Sequence, residues 1–129
     1  MAITHSTAAK QASTNAITAL VDAGAGAGYF TICDGATVLV TIAFSDPAFA
    51  TADTDGLAAA DTTPALSAAA SADGTADNFK VYDSDNTLIW SGVVTTTAVG
   101  TGDMQLDNTN IATGQTVTIS SFTYDAGEA

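Results

Sequence analysis

The stretch NFKVYDSDNTLIWSGVV, residues 78–94, holds two apolar runs separated by a cluster of turn-forming residues. Phe79 and Val81 sit two apart, the spacing of a strand that buries one face, and Leu88 to Val94 carries a second run around Trp90. Between them, Asp83-Ser84-Asp85-Asn86 supplies side chains that hydrogen-bond their own backbone and tolerate the left-handed region. The pattern predicts a β-hairpin, with Phe79 and Val81 facing Leu88, Trp90 or their neighbours.

Outward from this hairpin the same signals recur. Tyr29 to Cys33 and Thr37 to Ser45 flank Asp34-Gly35 and predict a second hairpin. Val38, Val40, Ile42 and Phe44 share one face, while Leu39 and Ala43 make the other face apolar too. That second strand is therefore expected to be covered on both sides, in the middle of the fold. Residues 51–77 are nearly all Ala, Thr, Asp and Ser. An unstructured loop of that length is rare in a compact domain, so short strands are expected at 56–60 and 65–70, with low-complexity disorder as the competing reading. Further on come a short strand near Met104 to Leu106, a turn around 108–114, and a strand over Gln115 to Tyr124. Phe122 and Tyr124 fall out of phase with Val117 and Ile119, which a β-bulge at Ser120-Ser121 would reconcile.

The N-terminal segment has a different period. Residues 7–23 place Ala9, Ala12, Ala16, Ile17, Leu20 and Val21 at helical spacing, with Gly24 where a C-terminal cap belongs. A stripe so rich in alanine is marginal alone and needs a surface to lie on, from this domain or from a neighbouring subunit. Gly24-Ala25-Gly26-Ala27-Gly28 reads as a flexible hinge that lets the helix swing as an arm. It is not a dinucleotide cradle, because that fingerprint follows a strand and opens a helix. The expected fold is mainly β: one β-sandwich domain, 1–129, with seven to nine short antiparallel strands over 29–124 and a helix or arm at 1–23.

Composition limits the chemistry. Thirteen Asp and one Glu face two Lys and no Arg, a net charge of -12 over 129 residues. Most of the aspartates adjoin Gly, Ser, Thr, Asn or Pro, so the charge marks turns and not helix faces. With Lys10 and Lys80 as the only cations, nucleic acid and anionic membranes are disfavoured as partners. A basic partner or a divalent cation fits the charge better. The apolar residues larger than Ala concentrate in 29–44, 79–94 and 117–124, enough for a thin core between two sheets. The opening MAITHSTAAK lacks a basic region followed by an apolar stretch, and the run Val38 to Phe44 is far too short to span a bilayer. A soluble chain without a secretory signal is expected.

The candidate constellations are few. Asp83-Ser84-Asp85-Asn86 opens like a Ca²⁺ loop, but Leu88 stands where Gly is needed and Val94 where the bidentate Glu belongs. A plain hairpin turn is expected there, and likewise at Asp53-Thr54-Asp55-Gly56. No metal site or cofactor is expected; were a structural divalent cation shared between chains, Asp83, Asp85, Asp53 and Asp55 would be the carboxylates to supply it. His5, the single histidine, lies in an end segment with no acidic neighbour, which argues against a Ser-His-Asp arrangement. Cys33, the single cysteine, excludes an intramolecular disulfide and reads as a small buried hydrophobe. Trp90, Tyr82 and Tyr29 would make a sugar-stacking platform only if exposed together; core packing is the expectation.

Four segments, NAITALVDAGAGAGYFTICDG, LVTIAFSDPAF, NFKVYDSDNTLIWSGVV and NTNIATGQTVTISSFTY, together span most of the chain. In wording and order they resemble a family of short, acidic, Ala/Thr-rich virion proteins of tailed bacteriophages. The resemblance implies a β-sandwich structural protein of the particle, a capsid decoration or cement protein bound where major capsid subunits meet. It implies location in the virion, no enzymatic activity, and as partners the major capsid protein and other copies of the chain, as a homo-oligomer such as a trimer. Only Asp34-Gly35 follows the first strand, so no loop-borne role is implied there. The expected contact surfaces are the helix, through Ile17, Leu20 and Val21, and the small-residue strands, through Leu57 and Leu66. The alternative is a tail, fibre or receptor-binding module contacting host glycans through Trp90 and the tyrosines.

Overall fold

The structure, a computed structural model, describes residues 4–96, 98–100, 104–106, 108–119 and 122–125. It is mainly β with one N-terminal helix. Helix α1 (Thr7–Val21) precedes the hairpin β1 (Tyr29–Asp34) and β2 (Thr37–Ala43). Short strands β3 (Leu57–Ala59), β4 (Leu66–Ala69) and β5 (Gly74–Thr75) follow, then the long hairpin β6 (Asn78–Tyr82) and β7 (Leu88–Thr96). The chain closes with β8 (Met104–Leu106), β9 (Asn110–Ile111), β10 (Thr116–Ile119) and β11 (Thr123–Asp125). The eleven strands among the described residues exceed the seven to nine expected, because several are ladders of two or three residues.

Both predicted hairpins form the main layer, a five-stranded sheet in the order β2-β1-β6-β7-β8. Its pairs are antiparallel except β7–β8, which is parallel and departs from the uniformly antiparallel expectation. Three two-stranded ladders, β4–β10, β3–β11 and β5–β9, supply the opposing layer. The expected bulge at Ser120-Ser121 lies outside the described residues.

Phe30, Ile32, Val40, Ile42, Phe79 and Val81 occupy one face of the large sheet through the pairs Phe30↔Ile42, Phe30↔Val81, Ile32↔Val40 and Ile32↔Phe79. Phe122, one residue before β11, reaches this face from the second layer, its ring centroid 5.0 Å from Phe30 and 5.7 Å from Phe79. Phe44 and Phe49 complete the ring cluster, at 5.5 and 5.8 Å from Phe122. Tilted and edge-on pairs of this kind add about 0.5–1.5 kcal/mol each beyond the area they bury. This is the thin core that the composition anticipated.

Strand β2 is an edge strand and not the middle of the sheet. The two-sided burial read from its sequence has another cause: the register shifts between Ile32 and Cys33, so Leu39 has no residue opposite it and buries alongside Val40. Segments of the other layer cover it, with Ser71 N–H donating to the Leu39 carbonyl at 2.8 Å. A Cβ on Gly74 would lie 2.8 Å from Leu39 Cδ2 and 2.9 Å from Asp34 Oδ2, so a larger residue there would push those side chains aside.

The helix begins at Ser6, whose Oγ accepts from Ala9 N–H at 3.1 Å. It docks on its own domain by a face that the alanine stripe did not indicate. Thr14, Thr18 and Val21 are buried, whereas Ala12, Ala16 and Leu20 are exposed. Polar side chains decide this orientation by capturing backbone groups of the 48–56 segment. Thr14 Oγ1 donates to the Gly56 carbonyl and Gln11 Nε2 to that of Ala52, while Asn15 Oδ1 accepts from Ala52 N–H and Asp22 Oδ1 from Ala48 N–H, both at 2.8 Å. Nor is the glycine run a free hinge. At Gly28 a Cβ would fall 2.6 Å from the Tyr82 and Val21 carbonyl oxygens, and at Gly24 (φ +97°) it would lie 2.2 Å from Ser84 Oγ. These two glycines allow close packing of the helix end against the β6–β7 turn.

Candidate functional site

The acidic residues singled out by the sequence build one local structure twice. In the first turn Asp53 Oδ1 accepts from the N–H groups of Asp55 and Leu57, at 2.9 and 3.0 Å. Its backbone N–H donates to the Leu57 carbonyl and its carbonyl accepts from Gly56. In the second, Asp83 Oδ1 accepts from Asp85 and Thr87, both at 2.9 Å, with the same two backbone bonds, to Thr87 and from Asn86. Each turn closes through a left-handed residue, Gly56 at φ +83° and Asn86 at φ +67°. The carboxylates thus satisfy amide groups that a tight turn leaves without ladder partners.

Five further aspartates act similarly over other spans: Asp22, Asp34, Asp61, Asp73 and Asp77 each accept from a backbone N–H. Two of these carboxyls are held below the ordinary carboxylate range. For Asp73 the cause is the hydrogen bond from the Thr113 backbone, then that from the Thr113 side chain. For Asp77 it is the Asn78 side-chain amide, then the Gly35 N–H. Asp53 and Asp55 share one turn and Asp83 and Asp85 the other. Among the described residues no three His, Cys, Asp or Glu side chains converge on a point where a metal ion could be held.

The five expected contact residues divide. Leu20 and Leu57 are exposed, at 49% and 40%, and Ile17 is half-buried. Val21 and Leu66 are corrections: both are buried within this chain, 0% and 2% exposed, and belong to its core. Val21 closes the helix onto the sheet beside Gly28, and Leu66 pairs with Ile119 on the inward side of β4–β10.

The three aromatic residues that would make a platform only if exposed together lie on opposite faces. Trp90 pairs with Val81 on the inner side of the sheet and stacks on Tyr124, centroids 4.0 Å apart at 26°. Tyr29 and Tyr82 stack on each other on the outer side, 5.0 Å apart at 17°. Tyr29 Oη donates to Asn86 Oδ1 at 2.7 Å. Its phenol is pushed above the ordinary value by burial first, then by the nearby Tyr82 and Asp83. His5 is exposed at the N-terminal end of the described chain. Cys33 is buried, its Sγ 3.4 Å from Thr31 Oγ1.

What the sequence did not single out is the outer face of the large sheet. Its first row runs Val38, Cys33, Asn78, Val93 across four strands, its second Thr41, Thr31, Lys80, Ser91, and its third Ala43, Tyr29, Tyr82, Leu88. No carboxylate stands in these rows. The alternation of Phe79 and Val81 with Lys80 and Tyr82 held the signal, although it needed the register of the partner strands to assemble it. An open cleft of about 180 Å³ beside Leu106, Ile111 and Val117 is smaller than the roughly 300–1,000 Å³ of small-molecule sites.

The fold and these surfaces define a mainly β domain with carboxylate-locked turns and one sheet face whose rows hold no carboxylate. Comparison with protein-family models, with curated proteins and with solved structures gives no match.

Proposed function

We propose that the chain is a structural protein of a bacteriophage virion, a capsid decoration or cement protein that stabilises contacts between major capsid subunits without catalysing a reaction. The observation that carries this reading is the use of the carboxylates. Seven aspartates hold turns and inter-segment ties by accepting backbone N–H groups. Such side chains contribute rigidity and solubility, the properties required of a small domain repeated over a shell. Weak contacts at each copy then add through multivalency, provided the geometry lets neighbouring subunits be engaged together.

The division of the aromatic residues favours this reading over a glycan-binding tail module, since Trp90 stacks away from Tyr29 and Tyr82. Mass spectrometry of purified virions, combined with imaging of the shell, tests the proposal. The expected result is density for this chain on the capsid lattice at a copy number near that of the major capsid protein. Its absence from the lattice would overturn the reading.

A further inference from the structure

We infer that the outer face of the five-stranded sheet is the surface that meets the shell subunit, and that the subunit answers it with an uncharged patch bordered at both ends by lysine or arginine. This inference rests on the reading of the chain as a capsid-bound protein. A sheet with one face packed on the core ordinarily presents polar and charged side chains on the other. In this chain three large apolar side chains stand at the corners of the outer face: Val38, Leu88 and Val93 are 40%, 50% and 53% exposed. Between them lie Thr41, Ser91 and the Tyr29–Tyr82 stack, with Lys80 as the single charged group in the rows, while Thr31 and Cys33 on β1 are buried among their neighbours, so the exposed part of the face is its border.

Charge surrounds this face in a definite arrangement. At one end of the strands lie Asp34 and Asp77; at the other lie Asp83 and Asp85 of the β6–β7 turn, with Asp46 just beyond the end of β2. A carboxylate-free centre holding one cation, with carboxylates at both ends, complements a partner that is basic at its two ends and offers an acceptor to Lys80 at its middle. A second copy of this chain fits poorly. Turned face to face, two copies bring acidic ends against acidic ends and Lys80 towards Lys80. The extent of the face points the same way. Three strand spacings by four residue steps make a patch about 14 Å on each side, a footprint of a few hundred Å². A stable isolated interface covers about 800 Å² per partner. So small a footprint suits a contact that is repeated over a lattice.

The test is binding of the full chain to purified shells that lack it, read by co-sedimentation over a range of salt concentrations. Val38→Asp and Val93→Asp place carboxylates on the face, and Val93→Thr keeps the β-branched shape while replacing a methyl group with a hydroxyl; circular dichroism and melting curves verify that each is folded. The expected result is at least tenfold weaker binding for each Asp variant, a smaller loss for Val93→Thr, and weaker wild-type binding as salt rises. If wild type binds and folded Val38→Asp and Val93→Asp bind equally well, the sheet face is not the contact, while the capsid reading stands. Loss of binding in Leu20→Asp or Leu57→Asp alone would likewise move the contact elsewhere. If wild type does not bind shells at all, the capsid reading fails and this inference with it. Sedimentation of the free chain as a dimer that Val93→Asp dissolves would assign the face to a second copy and overturn the shell subunit as its partner.

Discussion

The turns 53–57 and 83–87 share four hydrogen bonds, residue for residue, yet stand in different surroundings. Asp53 is exposed and Asp83 is only 8% exposed. Gly56 lies under the helix, where a Cβ would meet Lys10 Cβ at 3.0 Å and the Lys10 carbonyl oxygen at 3.1 Å. Asn86 instead carries a side chain that accepts from Tyr29. The left-handed backbone is common to both turns, and the neighbours decide which residue can adopt it. Glycine serves where another backbone comes close, and asparagine where space and a donor are present.

Substitutions can break this comparison, and the largest effect is expected at the buried turn. Asp83→Ala leaves the Asp85 and Thr87 amides without their acceptor in a site that water reaches poorly, and a loss of about 3 kcal/mol is expected in urea unfolding. Next comes the transfer of the second turn's solution into the first. Gly56→Asn keeps a residue tolerant of positive φ but drives its Cβ into the Lys10 backbone, so about 2 kcal/mol should be lost, with helix α1 melting before the sheet by hydrogen exchange. Equal stability of this variant and wild type would mean that the helix does not press on Gly56.

Asp53→Ala removes the same two bonds as Asp83→Ala from an exposed turn, where water can take them over, and about 1 kcal/mol is expected. Similar losses for the two Asp variants would show that burial is not what separates the turns. The reciprocal exchange, Asn86→Gly, relieves the left-handed strain and gives up the bond from Tyr29, and stability should stay within about 0.5 kcal/mol of wild type. The smallest expected effect sharpens the contrast between local locks and ties across the fold. Asp73 and Asp77 accept from Thr113 and Gly35, 40 and 42 residues away in sequence. Because their folded-state pKa values are depressed, the stability they contribute is present above the ordinary carboxylate range. It is lost as pH falls through the folded values. Melting temperatures followed down into acid should therefore fall less steeply for Asp73→Asn and Asp77→Asn than for wild type.

Local rules were enough to find the hairpins. The strands predicted around Asp83-Ser84-Asp85-Asn86 appear as β6 and β7, and those around Asp34-Gly35 as β1 and β2, because turn chemistry and period-two burial both act within a few residues. The strands expected at 56–60 and 65–70 are present as the shorter β3 and β4. What could not be read locally was which surface each element meets. Leu39 appeared to belong to a central strand, and a bulge with cover from the 70–74 segment buries it at the edge. The alanine stripe of α1 was a poor guide because Gln11, Thr14 and Asn15 find backbone partners more than thirty residues away. Val21 and Leu66 look like contact residues in a small-residue context, and only the packed fold reveals them as core. Likewise a platform of Trp90 and Tyr82, eight residues apart, was conceivable only if both were exposed together, and the strand register sends them to opposite sides.

Cys33 has a practical consequence. It is the only thiol in the chain, and it lies 1% exposed on β1, between β2 and β6. A thiol reagent can reach it only when the outer-face side chains packed around it, Val38 and Asn78 among them, move aside or those strands separate. Its rate of modification, compared with that of an unfolded peptide, therefore measures the free energy of local opening around this side chain without any probe having to be introduced. Recorded for the chain in solution and again for the chain on a shell, that rate would report whether attachment covers this row of the sheet face.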